Sequence, residues 1–263
     1  MPKTILVIVP HPDDAEFYAG GTLAGFARSG DRVIIVTTTD GSKGSYTLDG
    51  KSLIAAREQE AVNAAARLGA DKVILMGYAD LEVDRVPPHE LREKYIRLIR
   101  EYKPDLFMTE DYLYVAETHP DHRFVARVAA EAVTFANLPL LYPDQLKEGL
   151  EPHFTPEKYY YTEDLAAANL IVDISDTFED KMAALYEHDS QMNFLVEDIL
   201  RQAQVAGVDL HALAGDALDD PRTAMHLAMQ ARAVEVGAKT GVALGEAFRV
   251  TRFHPFIEAL LHK

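Results

Sequence analysis

The sequence predicts an α/β fold, a Rossmann-like and mainly parallel sheet with helices on both faces and a helical C-terminal extension. Three observations predict it. Short apolar runs alternate with longer amphipathic stretches through the first half of the chain. Two histidine–carboxylate clusters stand out: His11-Pro12-Asp13-Asp14 directly after the first of those runs, and His119-Pro120-Asp121-His122 in the connection that leaves the fourth. With 263 residues and 48% hydrophobic content, the chain can bury one substantial core, and no second independent domain is required.

In order, Ile5 to Val9 reads as a buried strand, about Ala15 to Ser29 as a helix, and Val33 to Val36 as a second strand. A helix from about Ile54 to Leu68 stops at Gly69 and precedes the strand Val73 to Met76. Pro88 to Tyr102 is helical and ends before Lys103-Pro104; Leu106 to Met108 is a short strand, and Val125 to Ala136 a further helix. Tyr159 to Tyr161 and Leu170 to Val172 read as later strands, and Thr177 to Glu187 as a helix entered through a Ser175 or Asp176 cap. The core is expected over about residues 4–192. From Asn193 onward a helical extension is expected, interrupted at Gly207 to Pro221, which reads either as a lid or interface loop or as a plain surface connection.

In sheets of this kind ligands bind outside the carboxyl ends of the strands. The first cluster begins two residues after the first strand, and the second is expected in the loop leaving the fourth. Both therefore fall on one edge of the sheet.

The net charge of −16 argues against nucleic acid or an anionic membrane surface as the main partner. The absence of cysteine excludes disulfides, thiolate metal sites and cysteine nucleophiles, so any metal must be held by His, Asp or Glu. No apolar run is long enough for a signal segment or a membrane span, which makes a cytoplasmic protein the expectation.

A catalytic zinc takes three nitrogen or oxygen ligands and leaves a fourth position to a water whose pKa falls to about 7. Two clusters can supply those ligands and still leave groups for acid and base. Either cluster alone could be a solvated turn that caps the following helix; two such clusters on one sheet edge argue against that reading.

The segment Pro10 to Glu16, followed by Gly20-Gly21-Thr22, resembles the signature of the zinc-dependent N-acetylglucosaminyl deacetylases, the PIG-L or LmbE-like family. The resemblance continues in Thr39-Asp40-Gly41, Arg57 to Glu60, the His119 to His122 cluster, Asp173-Ile174-Ser175, His188 to Gln191 and Gly245 to Arg249. It implies hydrolysis of an acetamide on an amino sugar or sugar conjugate, releasing acetate and a free amine, by a hydrolase acting on linear amide C–N bonds. By resemblance His11, Asp14 and His122 would bind zinc, and Asp13 would be the general base toward the attacking water. His119 would face the oxyanion as a cation and protonate the leaving amine, with Asp121 orienting it and holding it protonated. Arg57 and Asp80 would line the sugar. The same ligands accept Fe(II), Co(II) or Mn(II). A homo-oligomer is expected because relatives of this fold often form one.

Several residues keep two readings. Arg57 can instead pair with Glu58 or Glu60 along its helix. Glu16 is either a buttress of the site or a first-turn acid favoured by the helix dipole. His188 reads first as a satisfied structural histidine, while His89, His153, His211, His226, His254 and His262 show no ligand spacing. Glu117 and Thr118 stand where some thiol-pathway members carry Tyr and Gly, leaving Tyr112, Tyr114 or the Tyr159 to Tyr161 strand to offer a hydroxyl. Two other classes stay open. One is a metal-dependent phosphoesterase, against which the two loops supply few carboxylates. The other is a non-catalytic sugar- or nucleotide-binding module, although no Gly-x-Gly-x-x-Gly follows the first strand.

Overall fold

The computed structural model describes residues 2–210, 212, 215–253 and 255–261. Its centre is strand β1 (Thr4–Val9), in which Ile5 to Val9 are all at most 1% exposed. Burial on both faces is what a continuous apolar run in a parallel sheet requires. Around it lie β2 (Arg32–Thr39), β3 (Lys72–Tyr78), β4 (Leu106–Glu110), β5 (Glu157–Tyr161), β6 (Leu170–Asp173) and β7 (Gly245–Thr251), in the order β3-β2-β1-β4-β5-β7-β6. Strands β1 to β5 are parallel, and β7 runs antiparallel to both β5 and β6.

The helices cover both faces, as expected. On one face α1 (Asp14–Arg28) and α2 (Gly50–Leu68) bury Leu23, Ala64 and Leu68 against Ile5, Val7, Val33 and Ile35. On the other, α3 (Pro88–Tyr102) and α4 (Pro120–Phe135) bury Tyr95, Ile99 and Val128 against Leu6, Ile8, Ile34 and Phe107. Alternate residues of β1 thus feed opposite cores, as the two-residue period of a strand demands. After the short α5 (Pro143–Lys147), helices α6 (Phe178–Leu185), α7 (Asp189–Ala206) and α8 (Pro221–Gly237) build a third apolar cluster around Ile174, Phe178, Met182, Met192 and Met225. The last helix is α9 (Pro255–Leu261).

Helix α1 leaves β1 toward one face and α4 leaves β4 toward the other, although the two strands are neighbours. That divergence opens a crevice at their carboxyl ends, the switch point where α/β sheets place ligands.

Three expectations need correction. Residues 245–251, expected within a helical extension, form β7, which sits between β5 and β6 and so belongs to the sheet. Helix α2 begins at Gly50 rather than near Ile54, because the Asp49 side chain accepts from the Ser52 N–H and supplies a cap. The His119 cluster opens a helix rather than lying in a loop: His119 is the N-cap of α4 and Pro120 its first residue. Within the Gly207 to Pro221 stretch, residues 211, 213 and 214 lie outside the described residues, as do His254 and His262. Among the described residues no helix is long and apolar enough to cross a membrane.

Candidate active site

The tight turn between β1 and α1 aims the first cluster into the crevice. Asp13 takes φ 130°, a backbone conformation costly for a residue with a Cβ and one that concentrates at functional sites. His11 fixes Asp14 by donating its backbone N–H to Asp14 Oδ2 at 2.7 Å. From the neighbouring strand end, the first turn of α4 brings His122 against both.

The donor atoms converge. His11 Nδ1 lies 3.1 Å from His122 Nε2 and 3.4 Å from Asp14 Oδ2, while His122 Nε2 lies 3.6 Å from Asp14 Oδ1. Donors held by a tetrahedral ion with bonds of about 2.1 Å are about 3.4 Å apart. Two imidazoles and a carboxylate, with no thiolate, suit zinc and other divalent first-row ions, so the residues fit such a metal. The outer ring nitrogens face carboxylates: His11 Nε2 is 3.2 Å from Asp80 Oδ1 and 3.3 Å from Asp121 Oδ2, and His122 Nδ1 is 2.8 Å from Glu110 Oε2. Carboxylate support of this kind orients a ligating imidazole and raises its basicity. His119 offers a third imidazole to the same cluster, and Glu110 and Glu117 group around the far side of His122.

Burial separates the two adjacent aspartates. It pushes the Asp13 carboxyl up to about 6, against the pull of the Arg57 guanidinium. Burial opposes charge on Asp14 as well, yet His122 and His11 hold it below the ordinary carboxylate range. One carboxyl is therefore suited to exchange a proton near neutrality and the other to stay an anion beside imidazoles. Asp80 is held down to about 2 by His11 despite its burial.

His119 and Asp121 sit differently from the expectation. His119 Nδ1 accepts the Asp121 backbone N–H at 3.3 Å, so the tautomer carries its proton on Nε2. Burial and then the neighbouring His11 and His122 push the His119 imidazole below its ordinary value, opposing the expected cation. The Asp121 carboxylate, expected against His119, approaches His11 instead, and its Oδ2 accepts the Leu81 N–H at 2.8 Å.

Arg57 pairs with neither Glu58 nor Glu60. Its Nη2 donates to Asp13 Oδ1 at 2.9 Å and to Pro12 O at 2.7 Å, its Nη1 donates to Gly41 O at 3.2 Å, and Glu60 accepts from Ser190. Gly41 has φ 61°, and a Cβ there would lie 2.5 Å from Arg57 Nη1, so glycine makes room for the guanidinium. Glu16 is buried beside the equally buried His188, whose Nε2 lies 3.6 Å from Glu16 Oε2; this is an ion-pair distance rather than the hydrogen-bonded histidine expected. His153 and His226 lie elsewhere, bonded to Pro104 O and the Tyr186 hydroxyl. Of the tyrosines expected to offer a hydroxyl, Tyr161 lines the cavity, stacked on Tyr18, while Tyr112 packs against Tyr160 and Arg249. Glu110 was not singled out by sequence; its only signal was an acid at the carboxyl end of a buried strand. Carboxylates are more plentiful here than the two loops alone supply, since Asp80, Glu110 and Glu117 join the clusters.

Asp13, Asp14, Arg57, Asp80, His119 and His122 open onto a cavity of about 520 Å³, a size common for small-molecule sites. A diacetylchitobiose deacetylase of Thermococcus kodakarensis is 35% identical over 192 residues, covering 72% of this chain and 70% of that protein. The solved N,N'-diacetylchitobiose deacetylase of Pyrococcus horikoshii is 30% identical, with a TM-score of 0.78, covering 98% of this chain and 88% of that one. A protein of Bacillus anthracis described as a probable N-acetyl-alpha-D-glucosaminyl L-malate deacetylase is 26% identical over 207 residues, covering 76% of this chain and 86% of that protein. The sequence profile of PIG-L, described as GlcNAc-PI de-N-acetylase, matches residues 6–133, which hold both clusters, Arg57 and Asp80. Shared sequence over most of the chain and a shared fold lead to one conclusion: the chain belongs to the PIG-L family.

Proposed function

We propose that the protein is a zinc-dependent N-deacetylase that hydrolyses the acetamide of an N-acetylated amino sugar or its conjugate, releasing acetate and a free amine. The observation that carries the reading is the convergence of His11 Nδ1, His122 Nε2 and the Asp14 carboxylate within 3.1–3.6 Å, beside the buried carboxyl of Asp13. In this reading His11, Asp14 and His122 hold the ion. Zinc, when bound, supplies a Lewis acid for the amide carbonyl and for the attacking water.

Asp13 accepts the proton of that water as it attacks the carbonyl carbon, and returns it to the amine nitrogen as the C–N bond breaks. Arg57 holds Asp13 at its outer oxygen and leaves the other free for the proton. His119 donates from Nε2 to the oxyanion as a neutral imidazole, a role that follows from its Nδ1 being an acceptor. Asp121 and Asp80 orient His11, and Glu110 orients His122. Asp80 also lines the cavity, and in this reading it borders the sugar.

The test is acetate release from a panel of N-acetylglucosamine derivatives by protein carrying one equivalent of zinc, with Asp13→Asn alongside. Release by the wild type and its loss in the variant supports the reading. No release from any member, with zinc bound, rejects it in favour of a binding role, and two metals per chain with phosphoester cleavage would support the phosphoesterase alternative.

A further inference from the structure

The cavity has two chemically different ends. The polar end is the cluster at the strand tips. The other end is walled by Phe17, Phe194, Leu195, Met229, Ala233 and Val236. Phe17, Leu195 and Met229 are only partly buried, and they are the outer layer of the third apolar cluster. That cluster therefore turns part of its apolar surface toward the cavity. Gln191, whose buried Oε1 has no partner, is the polar exception beside Phe194; sugar hydroxyls turned toward the rest of this wall would lose hydrogen bonds to water without replacement. Something less polar than a sugar ring fits there.

The charges lining the cavity narrow the choice. Each lining Lys and Arg already faces a carboxylate: Lys43 with Glu82 at 2.8 Å, Arg57 with Asp13 at 2.9 Å, Lys181 with Glu246 at 2.7 Å and Arg232 with Glu235 at 2.8 Å. Lys181 also donates to Phe17 O, and Arg232 to Glu163 O. An anionic group entering here would meet cations whose charge a carboxylate already offsets, in a chain whose net charge is already −16. All the apolar wall except Phe17 comes from α7 and α8, beyond the residues 6–133 that match the family profile.

We infer that the apolar end is a subsite for an uncharged alkyl or aryl aglycone, which makes the substrate an apolar glycoside of an N-acetylated amino sugar rather than a free sugar or an acid-bearing conjugate. The sugar's placement rests on the deacetylase reading; the subsite itself does not.

Calorimetric titration of the full chain with methyl, hexyl and 5-carboxypentyl glucosides, none of which carries an amide, reads the subsite without turnover. Hexyl glucoside is expected to bind at least about tenfold more tightly than methyl, the effect of burying a few methylenes, with a more negative heat-capacity change. The carboxypentyl compound should lose that gain, and Met229→Gln or Leu195→Gln should bring the hexyl-to-methyl ratio toward one. Equal affinity for hexyl and methyl, no binding of the hexyl compound, or carboxypentyl binding as tight as hexyl overturns the inference. The acetate assay judges the deacetylase reading separately: a hexyl preference without acetate release keeps the subsite and rejects the reaction.

Discussion

Arg57 Nη2 donates to Asp13 Oδ1 across 2.9 Å, with both side chains buried. Through Pro12 O and Gly41 O the same guanidinium ties α2 to the turn that carries Asp13 at φ 130°. Helix α2 thereby holds a strained turn in its working shape. Removing one partner of a buried pair leaves the other unpaired, so Arg57→Met should lower unfolding stability by about 3–5 kcal/mol. Arg57→Lys should recover only part, because an ammonium cannot reproduce the fork. Urea unfolding checks this; a wild-type midpoint for Arg57→Met would contradict it.

Glu110 bears on the metal through His122, 2.8 Å from its Nδ1. Glu110→Gln should keep the fold yet weaken metal affinity by about 10–100-fold. Competition with a chromophoric chelator measures it, and an unchanged dissociation constant would mean that Glu110 does not orient the ring.

Gly21 lies inside α1, where a Cβ would stand 2.7 Å from Ile174 Cβ. Gly21 thus serves close packing of α1 against the chain leaving β6, as Gly20 does against Lys181 of α6, and neither forms a phosphate loop. Gly21→Ala should cost about 1–3 kcal/mol through overpacking next to a branched side chain. Thermal unfolding with metal content measured in parallel tests it; a stability equal to wild type would refute the packing role.

How much of this was legible in the sequence depended on whether the cause was local. Strands β1 to β4 and the helices between them follow from apolar period and Pro or Gly punctuation, which is why Pro88 to Tyr102 has the same bounds in both descriptions. Strand β7 was not legible: Gly245 to Thr251 has few signals of its own and is a strand because β5 and β6 offer two antiparallel edges. His11, Asp13, Asp14 and His122 could be named from their clustering at strand ends. Arg57 and Asp80 were named only through the family resemblance, as residues lining the sugar, and Glu110 not at all, since all three come from other parts of the chain and meet the clusters only through the fold. The Asp121 and His119 arrangement was misread for a related reason: a helix N-cap uses the imidazole as an acceptor, and that depends on where α4 begins.

The most direct measurement is zinc content together with acetate release in Asp13→Asn and His122→Ala, purified side by side. The expected result is one zinc per chain with release cut by at least about a hundredfold in Asp13→Asn, and loss of the zinc itself in His122→Ala. Equal loss of zinc in both variants, or wild-type release by Asp13→Asn, would contradict the division between metal ligands and proton acceptor.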